Sequence, residues 1–91
     1  MLEICRSSQF KKDLKKIIRQ GKELKKLEKV VNSLQHLQPL PDKNHDHFLS
    51  GIWQGYRECH ISPNWLLVYK VEQTLKLLRL ARTGSHSDLF K

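Results

Sequence analysis

Acid is what this chain has least of for its size. Nine Asp plus Glu stand against seventeen Lys plus Arg, a formal charge of +8 on 91 residues. A domain so small and so basic is expected to meet a polyanion, with nucleic acid the commonest and an acidic protein the other. A merely solvated surface is the competing explanation. Cysteine is scarce too. Cys5 and Cys59 share no CxxC spacing, which argues against a disulfide scaffold or a thiolate zinc motif and leaves two plain thiols in a reducing compartment. Long apolar runs are missing. No segment approaches the length that crosses a membrane, and Met1-Leu2-Glu3-Ile4 lacks a basic-then-apolar leader pattern. A cytoplasmic protein with no membrane partner is the expectation. There are no internal repeats, and the length suits one domain, residues 1–91, with a modest core.

What is present is periodic. Leu2–Arg6 alternates as a short strand. Ser7 and Ser8 offer an N-cap to a helix whose buried stripe is Phe10, Leu14, Ile17 and Ile18, with Gly21 as its C-cap. A second helix starts near Lys22, turns Leu24, Leu27, Val30, Val31, Leu34 and Leu37 inward, and ends before Pro39-Leu40-Pro41. Trp53–Ile61 reads as a strand, Pro63-Asn64 as a turn, and Trp65–Val71 as a central, nearly continuous apolar strand. Leu75–Arg82 is the last strand, Thr83-Gly84-Ser85 a turn, and residues 86–91 a tail. The order strand, helix, helix, three strands predicts an α+β fold: a largely antiparallel sheet with two helices packed on one face.

The chemistry concentrates in Tyr56–Trp65. Alternation puts Tyr56, Glu58 and His60 on one face and Arg57, Cys59 and Ile61 on the other. An acid, an imidazole and a phenol on one face are not an ordinary apolar lining. His45, His47, His60 and His86 all fall near turns and strand ends, and histidine exchanges protons near neutral pH. A zinc site from His45, His47 and His60 or His86 matches no known ligand spacing, and no serine sits in a nucleophile elbow. RNA cleavage fits better. RNA carries its own nucleophile, the 2′-OH, so a protein need supply only an acid, a base and a cation, with no metal or cofactor. Glu58, His60, His47 and His86 can make the proton transfers, Arg82 or Arg79 can stabilise the developing charge, and Trp65 and Phe90 can stack on bases. Each has a plainer alternative: Trp65 in the core, Phe90 sealing the C-terminus, Arg57 in a structural ion pair, His36 on the surface. The helices carry lysines including Lys11, Lys15 and Lys26 with few acids between them, which favours a phosphate-binding face over a solvated one.

The element order resembles the RelE superfamily of bacterial toxins, and the second half is similar to the YafQ-type mRNA interferases. The resemblance rests on Asp46-His47, Gly55–Ile61, Pro63-Asn64-Trp65 with Leu67–Lys70, and Arg82–His86 ending in Leu89-Phe90. It is specific over residues 46–90 and loose in the helices. It implies a ribosome-dependent endoribonuclease that cuts mRNA and halts translation, with a cognate antitoxin as its protein partner and ribosomal RNA as its docking surface. His47, His60 and His86 are the matching acid–base positions, His86 the proton donor, Phe90 the substrate-handling aromatic, and Arg82 and Glu58 the polar positions of the site. Some relatives carry aspartate where this chain has Asn64, and an amide cannot act as a base. A non-catalytic basic module that binds RNA or an acidic partner, and a metal-dependent hydrolase, are the competing functions.

Overall fold

The computed structural model describes residues 1–90. Strand β1 (Glu3–Arg6) leads into helix α1 (Ser8–Arg19) and helix α2 (Leu24–Gln35). After a 3₁₀ turn at Asp42–Asn44 come β2 (His47–Phe48), a second 3₁₀ turn at Gly51–Trp53, β3 (Arg57–Ser62), β4 (Trp65–Glu72), β5 (Leu77–Gly84) and α3 (His86–Leu89). The five strands lie in the order β1-β5-β4-β3-β2; β1 runs parallel to β5 and the other pairings are antiparallel.

The helix signals are local and work as read. Ser7 is the N-cap of α1, accepting from the Phe10 N–H. At its far end Gly21, with φ +76°, donates to the Ile18 carbonyl, and Lys22 donates to that of Ile17. This paired closure needs a left-handed residue after the cap, which glycine adopts at little cost. Phe10, Ile17, Leu27, Val30, Val31 and Leu34 pack on Cys59, Trp65, Leu67, Tyr69, Leu78 and Leu80, so both helices cover one face of the sheet. Ile18 and Leu37 depart from expectation: they are 50% and 55% exposed. Ile18 sits beyond the edge of the stripe, and Leu37 follows the end of α2 with φ +56°.

The opposite face is not bare. Leu66 and Val68 point there and are covered by Leu49, Trp53, Tyr56, Ala81, Leu89 and Phe90. Burial on both sides explains why β4 is apolar almost without interruption; Trp65 through Tyr69 are at most 2% exposed. Trp65 therefore belongs to the core. Its indole N–H donates to Thr83 Oγ1 at 2.8 Å, and that hydroxyl donates to the Leu66 carbonyl. It is not available to stack on a base, which corrects that expectation.

Other corrections concern boundaries. Trp53 lies in a 3₁₀ turn and the strand begins at Arg57; the last strand runs on through Thr83 and Gly84; the tail folds into α3, started by a Ser85–Asp88 capping box. Ala81 has no partner between the Val68–Arg82 and Tyr69–Leu80 pairs. This bulge lets Leu80 and Thr83 both serve the helix-covered side, which strict alternation does not allow.

One buried acid locks the two layers. Asp13, 7% exposed, accepts from Arg82 Nε (2.8 Å) and Nη2 (3.1 Å), from the Thr83 N–H (3.1 Å) and from Gln9 Nε2 (3.1 Å). Asp13→Ala is expected to destabilise by about 3 kcal/mol or more, because it strands a partly buried guanidinium and a buried N–H. Asp13→Leu combined with Arg82→Met should recover part of that loss in urea unfolding. Equal destabilisation by the single and double changes would contradict this account.

Candidate active site

The short strand β2 exists to carry His47. It pairs His47 with Glu58 and Phe48 with Arg57. His47 Nε2 lies 3.0 Å from Glu58 Oε2, and Nδ1 lies 2.6 Å from the His45 carbonyl. A carbonyl can only accept, so Nδ1 carries a proton. Glu58 is buried and His47 is half-exposed, so the pair has one side in the protein and one side open.

The loop before β2 is pinned by its own network. Asp46 accepts from Arg57 Nη2 (3.0 Å) and Nε (3.3 Å) and from the Tyr69 hydroxyl (2.5 Å). Burial raises the Tyr69 pKa, the bond to Asp46 raises it further, and the phenol stays a donor. The hydrogen bond with Asp46 raises the Arg57 pKa as well. The guanidinium also lies 4.2 Å over the Phe48 ring. Arg57 is thus the structural ion-pair partner that its position suggested. Beneath the loop, burial pushes the Cys59 thiol up to about 12, so it remains an unreactive S–H.

Glu58 and His60 share a face, as alternation predicts: they pair with Val68 and Leu66, both in the second cluster. His60 lies past the end of β2, where β3 has an open edge. Its carbonyl accepts from Asn44 Nδ2 at 2.7 Å, and its ring meets His45 edge-on at 5.4 Å. Helix α3 is laid on the same side of the sheet through Leu89 and Phe90. It presents His86, which is exposed, with the Phe90 ring 5.2 Å away. The fold therefore brings His47, Glu58, His60, His86 and Phe90 to one face from three separate segments.

Arg82 and Arg79 do not join them as free cations. Arg82 is bound to Asp13, whose hydrogen bond raises its pKa, and Arg79 pairs with Glu72 at 2.7 Å. Both charges are already matched, which corrects the expected roles in charge stabilisation and RNA contact. Lys11 and Lys15 are exposed on α1, in the helix layer, and Lys26 is exposed on α2. Two residues escaped the sequence reading. Asp13 left a signal, an acid between Phe10 and Ile17 on the apolar stripe. Asp46 was visible only beside His47, because its partners are 11 and 23 residues away.

Among the described residues no three His, Cys, Asp or Glu side chains converge on a point that could hold a metal ion.

Comparison with known proteins matches this arrangement to one family. The family model described as the bacterial toxin of type II toxin–antitoxin system, YafQ, matches residues 2–91. The mRNA interferase toxin YafQ of Escherichia coli K12 is 44% identical over 85 residues, 92% of this chain and 90% of that protein. A crystal structure of a metal-bound toxin from Helicobacter pylori superposes with TM-score 0.93 at 48% identity, covering 99% of this chain and 100% of that one. YafQ in the E. coli DinJ–YafQ complex superposes with TM-score 0.90 at 40% identity, covering 100% of both chains.

The segment bearing His86 is held to α1 by Lys16 Nζ and Asp88 Oδ1, 3.0 Å apart. Bonds from Lys16 and then from the Ser85 side chain hold the Asp88 carboxyl down at about 2. Its folded value is below the unfolded one of about 3.9, so its contribution to stability is present above that value and is lost as pH falls toward 2. The Asp88 carboxyl carbon should titrate by NMR with a midpoint of about 2, and Lys16→Met should move it up toward the ordinary carboxylate value. A midpoint unmoved by that change would remove Lys16 as the cause.

Proposed function

The chain belongs to the YafQ family of bacterial type II toxin–antitoxin toxins, and we propose from that premise that it is an mRNA-cleaving endoribonuclease. It acts in the cytoplasm on mRNA bound to the ribosome, halts translation, and is restrained by a cognate antitoxin, as DinJ accompanies the E. coli protein. The observation that carries this reading is the His47–Glu58 pair on the same face as α3 with His86 and Phe90.

The chemistry needs two proton movements. The 2′-oxygen of the RNA attacks the adjacent phosphorus as its proton passes to the His47–Glu58 pair. The bond from phosphorus to the 5′-oxygen breaks as His86 protonates that oxygen, leaving a 2′,3′-cyclic phosphate and a 5′-hydroxyl. With His47 Nδ1–H committed to the His45 carbonyl, the arriving proton is shared between Nε2 and Glu58. Buried Glu58 faces the imidazolium that forms and stabilises it. Phe90, half-buried beside His86, offers a stacking surface to a base. Lys11 and Lys15 lie away from this chemistry and suit the phosphates of ribosomal RNA, which give affinity and orientation but no sequence choice.

His86→Ala is expected to lower cleavage of mRNA on programmed ribosomes by about 10²- to 10⁴-fold and to abolish growth arrest on expression. Because His86 is exposed, urea stability should change by no more than about 0.5 kcal/mol. Full toxicity in that variant would remove His86 from the mechanism. The reaction is metal-independent in this reading, since RNA supplies the nucleophile. Cleavage should survive a chelator that strips transition metals and leaves ribosomal magnesium in place. Loss of activity on chelation, restored by one added metal, would replace this mechanism with a metal-assisted one.

A further inference from the structure

A groove of about 740 Å³ opens between α2 and the end of β3, next to the site but not part of the proton-transfer machinery. Its floor is apolar, from Val30, Leu40, Ile61 and Pro63. Its rim carries Lys26, Lys29, Lys43, His45 and His60, and no carboxylate lines it. Lys26 meets Glu23 only at 3.9 Å with both side chains exposed, a contact that contributes little. Lys29 and Lys43 enter no ion pair among the described residues. Most other cations near the sheet, Arg57, Lys70, Arg79 and Arg82, face a carboxylate within 3.6 Å. The groove thus gathers uncompensated charge over an apolar floor, in contrast to the rest of the sheet's surroundings.

Position narrows the occupant. His60 is two residues from Glu58 along β3, about 7 Å at about 3.3 Å per residue. His45 is two residues from His47, and its carbonyl fixes that ring. The rim thus begins two residues from each member of the proton-carrying pair. A second cleft of about 230 Å³ shares Lys26 and Ser62 and extends the trough past Lys22, with Glu23 the one carboxylate in its lining. A positively charged trough with ring edges in its wall suits an extended single strand: ammonium groups track phosphates and the rings pack on bases. An acidic peptide would satisfy the lysines but would leave the junction with the His47–Glu58 pair unexplained.

We propose that this groove is a single-stranded RNA subsite that seats a nucleotide flanking the cleaved bond, with Lys26, Lys29 and Lys43 on its phosphates and His45 with His60 against its base. The proposal rests on the ribonuclease reading. It assigns His60 to holding substrate and leaves the proton transfers to His47, Glu58 and His86.

The test uses the full chain and a fluorescein-labelled 2′-O-methyl RNA hexamer, which has no free 2′-OH and is not cut. Lys29→Ala with Lys43→Ala should weaken binding about tenfold at low salt and reduce the slope of log K against log salt by about 1.4, two phosphates at about 0.7 each. Lys29→Arg with Lys43→Arg should keep binding within about twofold, since charge is retained. On programmed ribosomes the alanine pair should raise KM with kcat little changed, as loss of uniform binding does. Unchanged hexamer affinity and slope would overturn the proposal, as would loss of antitoxin affinity alone, which would hand the groove to an acidic partner. Failure of the unsubstituted chain to cut mRNA would refute the ribonuclease reading instead, while the hexamer titration would still decide the groove.

Discussion

A carboxylate does not go into a protein interior unless enough donors meet it there. Asp13 is that case, and much of the fold is arranged to satisfy it. Arg82 and the backbone of Thr83 reach it from β5, so α1 can sit in only one place along that strand. Thr83 in turn receives the Trp65 indole and donates to Leu66, which carries the constraint into β4. Three residues further on, the chain enters α3, and Asp88 returns to Lys16, one helical turn from Asp13. The helix therefore grips the sheet just before and just after the residue expected to deliver a proton. A four-residue helix on its own has almost no stability. This one is defined by a capping box, by Leu89 and Phe90 against the sheet, and by that ion pair.

The other half of the site is fixed by a second carboxylate. Asp46 takes donors from β3 and β4, and in doing so holds a two-residue strand in register. Few side chains could do this with so little backbone pairing. Arg57 supplies a two-pronged donor and Tyr69 a buried hydroxyl, one from each strand. The result is that His47 is set by three things at once: pairing to Glu58, its Nδ1 bond to the preceding carbonyl, and the anchored Asp46 between them. A histidine on an untethered loop would spend its time in water-facing rotamers. Here the ring reaches its carboxylate without leaving the surface.

How much of this could be read from the chain depends on the range of each interaction. Caps, the Gly21 closure, the apolar stripes and the face shared by Glu58 and His60 are decided within a few residues, and they were legible. Trp65 was ambiguous because the indole suits a core and a stacking platform equally; what decides is Thr83, eighteen residues away. Arg82 misled for the same reason. An arginine beside a histidine-bearing tail looks like a catalytic cation until Asp13, 69 residues earlier, is seen to hold it. The short α3 is hidden because Ser85 reads as part of a turn and Asp88 as part of a tail. Their spacing is a capping box, and only the burial of Leu89 shows that a helix follows.

Pairing also divides the charge of this molecule into two kinds. The formal +8 is not spread evenly over its functions. Arg57, Arg79 and Arg82 are held by carboxylates and contribute architecture, while Lys29 and Lys43 at the groove enter no ion pair among the described residues. That division has a physical logic. Guanidinium forks hold fixed geometry well, as Arg82 and Arg57 do, whereas ammonium groups on flexible stems follow a phosphate chain whose sequence and path vary. The proposed reaction, which would grip many messages yet place one bond against two proton carriers, calls for both. The rigid cations build the site, and the mobile ones can hold whatever strand is brought to it.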